Sequence, residues 1–333
     1  MRNIAVAFGS GDPRQHRTTQ GRLVHTSERT VHGVEYTLED GPARAVVTGV
    51  GAAIRALAVG GVDLTPGYPP DRLRPFYSGT VLAPWPNRVR DARWVYRGST
   101  QLLDVTEPQR GNALHGLLCF TDYRLVEQTG NTVMLGAQVF PQHGYPFHLD
   151  TTVHYRLAED GLHATHTIDN LGSDPAPVAL GTHPFLCIGD VPTAELTLTV
   201  SADTHIDVDE RLNPTGTSPV QGGYWDLRAG RRVADLDLDD AWTGLHITDG
   251  ASVHSLRAPD GRTVSLWADE DFGYIQVFTT RRYPVGDRFV TAVAVEPMTA
   301  PADALNSGEG LRWLDPGDRW SASWSIRYRA DGQ

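Results

Sequence analysis

Residues 151–168, TTVHYRLAEDGLHATHTI, alternate apolar and polar positions on both sides of the turn-forming AEDG. Val153, Tyr155 and Leu157 share one face of the first run, and Leu162, Ala164, His166 and Ile168 share one face of the second. A period of two around a short polar turn predicts an antiparallel hairpin with one face buried. The same design recurs on either side. YRLVEQTGNTVMLGAQV (123–139) repeats it around TGN. AELTLTV (194–200) sets Leu196, Leu198 and Val200 opposite threonines, and WSASWSIRY (320–328) sets Trp320, Ala322, Trp324, Ile326 and Tyr328 opposite serines and Arg327. These patterns predict half-buried antiparallel strands.

No stretch sustains a 3.6-residue period beyond about two turns, and APADALNSGEGLRWL (300–314) predicts only a short helix near Ala302–Asn306. There is no dinucleotide-binding glycine pattern, no low-complexity linker and no fixed-period repeat. The fold class is therefore all-β, a sandwich or barrel. Without a composition shift to divide it, the chain reads as one domain over 26–333, preceded by a loosely held polar extension over 1–25.

The 333 residues carry a formal net charge of −11. Such a surface repels nucleic acid and anionic membranes and suits a neutral small molecule. No apolar run approaches the roughly 18 residues of a spanning helix, and IAVAF near the start is too short for a secretory signal, so the cytoplasm is expected. Cys119 and Cys187 are too few for a disulfide framework and read as packed thiols. All 29 basic side chains are arginine. The absence of lysine excludes Schiff-base and pyridoxal chemistry and the usual P-loop.

Several polar residues interrupt this pattern. In TAVAVEPMT (291–299), alternation puts Ala292, Ala294 and Glu296 on one face and Val293 and Val295 on the other. A strand-end glutamate ordinarily points to water. Glu296 nevertheless precedes Pro297, as His183 precedes Pro184 in ALGTHPFLCIGD. Proline holds the preceding residue extended, so both side chains are presented from stiff backbone, although proline also simply ends strands. In LAPWPNRVRDARW, two prolines and Trp85 stiffen the chain before Asn87 and Arg88. Arg88 reads equally as a hydrogen-bond fork for a polyhydroxy ligand and as a surface arginine beside a turn. His115, in GNALHGLLCF, has the ordinary reading of a structural histidine beside a glycine. Asp239 and Asp240, in LDLDDAWTGL, read as turn acids or as acceptors of sugar hydroxyls near a stacking Trp242.

In their order along the chain, PWPNRVRD, NALHGLL, GTHPFL, LDDAW, YIQVFTT and AVEPMTAPADALNSGEGLRWLDPGD resemble the aldose 1-epimerase (galactose mutarotase) family over roughly residues 30 to 328. The resemblance implies a large antiparallel β-sandwich of the galactose-mutarotase type and a carbohydrate-metabolism isomerase. Such an enzyme interconverts the α and β anomers of a free aldose without a cofactor or metal. It further implies Glu296 as catalytic base and His183 as catalytic acid. Arg88, His115, Asp239 and Gln276 become substrate and transition-state contacts, with Asn87 beside them. Alternation independently places Gln276 with Tyr274 and Phe278 on one strand face. A one-residue shift in matching exchanges Asp239 for Asp240. PWPNRVRD departs from mutarotases whose Asn-Arg follows a glycine-rich sequence, so no particular aldose is implied.

Anomer exchange removes a proton from the C1 hydroxyl and delivers one to the ring oxygen, which calls for one base and one acid. The expectation is Glu⁻ and HisH⁺ on opposite sides of the sugar ring, with carboxylates near the imidazolium, Arg88 keeping a carboxylate charged, and a bell-shaped pH profile. Trp85 or Trp242 would stack on the sugar or belong to the core. The partner is a sugar, and the assembly a monomer or homodimer. Four alternatives accompany this reading. A hexose-6-phosphate 1-epimerase would recruit Arg72, Arg74, Arg90 and Arg93 to a phosphate. A carbohydrate-binding or regulatory module would lack turnover. A glycosidase would pair Glu296 with Asp239. A metal site would draw on His143, His148, His154, His163 and His166, whose spacing matches no compact ligand motif.

Overall fold

The hairpin at 151–168 supplies two adjacent inner strands of a nine-stranded antiparallel sheet. In the computed structural model, which describes residues 29–330, its strands are Leu149–Ala158 and Gly161–Asn170, paired from Leu149↔Asn170 to Ala158↔Gly161. Among the described residues the sheet runs from the edge strand Arg124–Gln128 through Thr132–Val139 to this hairpin. Arg319–Arg329, Thr263–Asp269, Ala251–Arg257, Thr197–Thr199 and Arg231–Arg232 complete it. Val153, Tyr155, Leu157, Leu162, Ala164, His166 and Ile168 are all buried, as a period-two pattern with one face inward requires.

A second antiparallel sheet of eight strands carries the polar residues of interest. Its middle is the ladder Ala202–Val208, Asp239–Leu245, Tyr274–Val285, Arg288–Met298. A five-stranded antiparallel sheet over 29–63 adds to the layers. One hydrophobic cluster draws Leu38, Val47 and Leu57 from the five-stranded sheet, Tyr155 and Trp324 from the nine-stranded sheet, and Ile275, Val277, Val293 and Val295 from the eight-stranded sheet. The architecture is thus an all-β antiparallel sandwich, built around strands that each give one face to the shared core.

The Arg288–Met298 strand is buried on both faces from Ala292 onward. Its valines enter the main core, while Ala292 and Ala294 pack with Phe185 and Tyr283 in a separate cluster. Small residues are required on that side because the aromatic rings of Phe185, Phe278 and Tyr283 lie directly over the strand.

The helix is Ala304–Ser307, later than the expected start at Ala302, because Asp303 adopts a left-handed φ of 62°. Four single-turn 3₁₀ segments accompany it among the described residues. Trp85 and Trp242 are 2% and 0% exposed, so both belong to the core and neither offers a face to a sugar. Cys119 and Cys187 are buried free thiols. No described helix is long and apolar enough to cross a membrane. The expected extension over 1–25 lies outside the described residues.

Candidate active site

His183 sits in an extended residue between two short strands, Gly181–Thr182 and Phe185–Leu186. Its backbone is fixed on one side by Gly79 N–H donating to the His183 carbonyl (2.8 Å) and His183 N–H donating to Thr80 (3.0 Å). On the other side Val295 N–H donates to the Pro184 carbonyl (3.1 Å). The proline keeps this residue out of helical geometry, so the imidazole projects toward the adjoining Arg288–Met298 strand. There it meets Glu296, with His183 Nε2 3.3 Å from Glu296 Oε1. Glu296 is 2% exposed. The strand-end carboxylate therefore points inward, against the ordinary expectation. His183 Nδ1 and Glu296 Oε2 are buried with no hydrogen-bond partner among the described residues.

Aromatic rings enclose the imidazole. His183 stacks on Phe185 at 5.4 Å, and its ring meets that of His115 edge-on at 5.5 Å. Tyr77 closes the group, edge-on to His115 at 4.8 Å. Phe76 and Tyr77 both have left-handed φ angles, 45° and 56°, a costly local geometry of the kind that concentrates at functional sites.

Gln276 is the direct cross-strand partner of Glu296. Its amide nitrogen donates to Asp239 Oδ1 (2.8 Å), and its oxygen accepts from Asn87 Nδ2 (3.1 Å). Asn87 in turn accepts from the Arg88 backbone N–H (2.9 Å) and guanidinium (3.3 Å). The Asn87 backbone N–H donates to His115 Nδ1 at 3.3 Å, which leaves that ring nitrogen as an acceptor. Arg88 donates to Asp239 Oδ2 (3.3 Å) and lies in the short Arg88–Val89 strand, which pairs with Ala113–Leu114 immediately before His115. All seven expected site residues thus meet in one hydrogen-bonded and ring-packed group. A small cavity touching Asn87, Arg88, Asp239 and Gln276 adjoins it.

The adjacent acids separate by strand alternation. Asp239 faces the Gln276 side, whereas Asp240 accepts from His205 Nε2 (2.8 Å) and Trp225 Nε1 (3.1 Å). The group has a further member outside the seven expected from the sequence. Glu107 is 3% exposed and accepts from Arg88 through both oxygens, at 2.9 and 3.0 Å. Its sequence signal is the one shared by His183 and Glu296, a titratable residue directly before a proline, here Pro108.

Burial dominates the electrostatics. It drives His183 down to about 3 and His115 well below the usual imidazole range, and it raises Glu296 well above the usual carboxylate range, with Asp239 adding repulsion. Glu107 is held low: burial opposes ionisation, but the hydrogen bonds and charge of Arg88 outweigh it. Burial thus works against the expected imidazolium and carboxylate, because desolvation disfavours the charged form of each. The two groups also stand side by side rather than on opposite sides of a ring-sized gap.

Three of the four arginines expected for a phosphate are engaged elsewhere. Arg74 is buried and donates to the carbonyls of Val50 and Cys119, both at 2.9 Å. Arg90 is engaged by Asp303 and Asp209, and the exposed Arg93 by Asp91. The candidate metal histidines are likewise separate. His143 pairs with Asp104, His163 with Asp160, and His166 accepts from Trp324 Nε1.

Residues 34–327 match the aldose 1-epimerase family model. The chain is 31% identical over 297 residues to the uncharacterized protein YihR of Escherichia coli K12, covering 88% of this chain and 91% of that protein. A galactose mutarotase of Mus musculus is 33% identical over 162 residues, covering 46% of this chain and 45% of its own. Among solved structures, a galactose mutarotase-like protein of Clostridium acetobutylicum superimposes with a TM-score of 0.79 at 16% identity, over 91% of this chain and 98% of that one.

Proposed function

The chain belongs to the aldose 1-epimerase family, and from that premise we propose that it is a mutarotase, interconverting the anomers of a free aldose with Glu296 and His183 as its proton-transfer pair. The observation that carries this reading is the 3.3 Å contact between His183 Nε2 and Glu296 Oε1 at a buried site. Residues 26–333 act as one domain in this proposal, and the neutral sugar requires no cofactor.

The pair holds one proton in total. At rest, burial keeps it on Glu296. Transfer across the contact to His183 yields a carboxylate base and an imidazolium acid without changing the net charge of the site. Glu296 then takes the C1 hydroxyl proton while His183 protonates the ring oxygen, the C1–O5 bond breaks, and an open-chain aldehyde forms. Rotation about C1–C2 presents the other face, and closure reverses both transfers. Because the C1 hydroxyl oxygen and the ring oxygen are both bonded to C1, an acid and a base standing side by side can reach them together. Each transfer is worth roughly 10²–10⁴-fold. Arg88, Asp239, Gln276 and Asn87 bind the hydroxyls, and His115, neutral and accepting from the Asn87 backbone N–H, packs against the His183 ring.

The phosphorylated-sugar alternative lacks support in the arginine placement, since Arg74 and Arg90 are already occupied. Polarimetry of freshly dissolved α-D-glucose and α-D-galactose tests the proposal. Accelerated relaxation that both Glu296→Gln and His183→Asn abolish is the expected result. Sugar binding without acceleration would favour a binding module.

A further inference from the structure

The strands Ala202–Val208 and Asp239–Leu245 are neighbours, but their ladder stops early. Pairing proceeds through Thr204↔Thr243 and His205↔Trp242 and ends at Ile206↔Ala241. Asp239 and Asp240 continue pairing only on their other side, with Phe278 and Val277. The substrate-facing Asp239 therefore lies at a strand end held by backbone on one flank alone.

Side chains close the open flank. His205, 2% exposed, places Nε2 2.8 Å from Asp240 Oδ1 and Nδ1 2.9 Å from Asp207 Oδ1. Each ring nitrogen thus faces a carboxylate oxygen, and the ring ties the Asp239–Leu245 strand to its own where the ladder has lapsed. Its ring lies flat on Trp225 at 3.9 Å, and Trp225 Nε1 donates to the same Asp240 oxygen at 3.1 Å. Trp242 Nε1 fixes Trp225 in turn by donating to its carbonyl at 3.0 Å, and Ser218 donates to Asp207 at 2.6 Å. The second oxygen of Asp240 accepts from the backbone N–H of Asp239 at 3.1 Å.

We propose that His205 and Asp240 are positioning residues for Asp239, fixing its backbone so that its carboxylate meets Arg88, Gln276 and the sugar. The proposal rests on the mutarotase reading only in naming a sugar as the ligand. It distinguishes two adjacent acids of one motif. Asp239 contacts the ligand, while Asp240 never does and acts by holding its neighbour. A misplaced contact residue weakens binding of ground and transition state alike, so the signature is in affinity rather than turnover.

Calorimetric Kd values for D-galactose and D-glucose, and kcat by polarimetry, separate the possibilities. His205→Gln and the milder Trp225→Phe are expected to raise Kd about tenfold and threefold, with kcat within threefold of wild type. In an Asp239→Asn background, His205→Gln is expected to shift Kd less than twofold, because the residue it serves is already gone. An equal His205→Gln penalty in both backgrounds would mark a general structural role and overturn the proposal. Sugar binding without accelerated anomer exchange would remove the epimerase reading and leave this comparison intact. Absence of binding to any aldose would overturn both.

Discussion

Glu107 holds Arg88 by both carboxylate oxygens, and the same guanidinium nitrogen that meets Glu107 Oε1 at 3.0 Å also meets Asp239 Oδ2 at 3.3 Å. The plane of the arginine fork is thereby set by a residue outside the expected site. Asn112 and Arg110 donate to Glu107 at 3.2 and 2.9 Å, so the carboxylate is itself immobilised. Removing one partner of a buried pair leaves the other charge uncompensated, at a cost of about 3–5 kcal/mol. Glu107→Ala is expected to lose that much in urea denaturation, and Glu107→Gln less. Both are expected to weaken sugar affinity. An unchanged midpoint for Glu107→Ala would refute the claim that Arg88 depends on it.

The pH profile follows from where burial has moved the pair. In the proposed mechanism activity requires one proton shared between Glu296 and His183. The acid limb begins where His183 gains a second proton, near its lowered value of about 3. The alkaline limb begins where Glu296, raised by burial, releases the last one. Because the groups interact, the two limbs belong to the pair. Expected is a rate that holds steady from about pH 7 down to pH 5, with the protein still folded. A rate falling through pH 6.5 would instead report an ordinary, solvated histidine.

Acid also acts on stability. His166 and His254 are buried away from the candidate site and held down to about 4 and about 3. Unfolded, each takes up a proton near pH 6.5. Between these values the unfolded chain binds more protons, so stability rises with pH and falls on acidification, by up to about 1.4 kcal/mol per pH unit for each histidine. The urea midpoint is expected to be lower at pH 5 than at pH 7. Equal midpoints would be incompatible with neutral buried rings.

Gly79 supports His183 from behind, donating to its carbonyl with a φ of 71°. A Cβ there would collide with the Ile54 carbonyl, a backbone atom that cannot step aside. Gly79→Ala is therefore expected to lower both thermal stability and kcat. A stable variant with wild-type turnover would show that the His183 backbone tolerates displacement.

The fold class was legible because a period of two survives in nearly every strand of the nine-stranded sheet, from Val153 to Ile326. The site was legible in part. His183 and Glu296 announce themselves by the proline that follows each, and Glu107 carries the same mark within TEPQRG. Alternation also separates Asp239 from Asp240 once the ladder register is known, which sequence alone does not give. Charge states were not legible. Proton affinity depends on how completely the folded chain excludes water, and no local pattern encodes that exclusion. Trp85 and Trp242 were ambiguous for the same reason, since an aromatic residue beside polar ones looks alike whether its ring is covered or open.

The Arg288–Met298 strand answers to two compartments at once, valines to the sandwich interior and alanines to the aromatic layer beside Glu296. Its odd and even positions are consequently separable targets for laboratory evolution. A library randomised at Val293 and Val295 samples melting temperature, whereas one randomised at Ala292 and Ala294 shifts the rings that bear on His183. Change at the candidate site has a short route through a few methyl groups on one side of a single strand, with the other side left untouched.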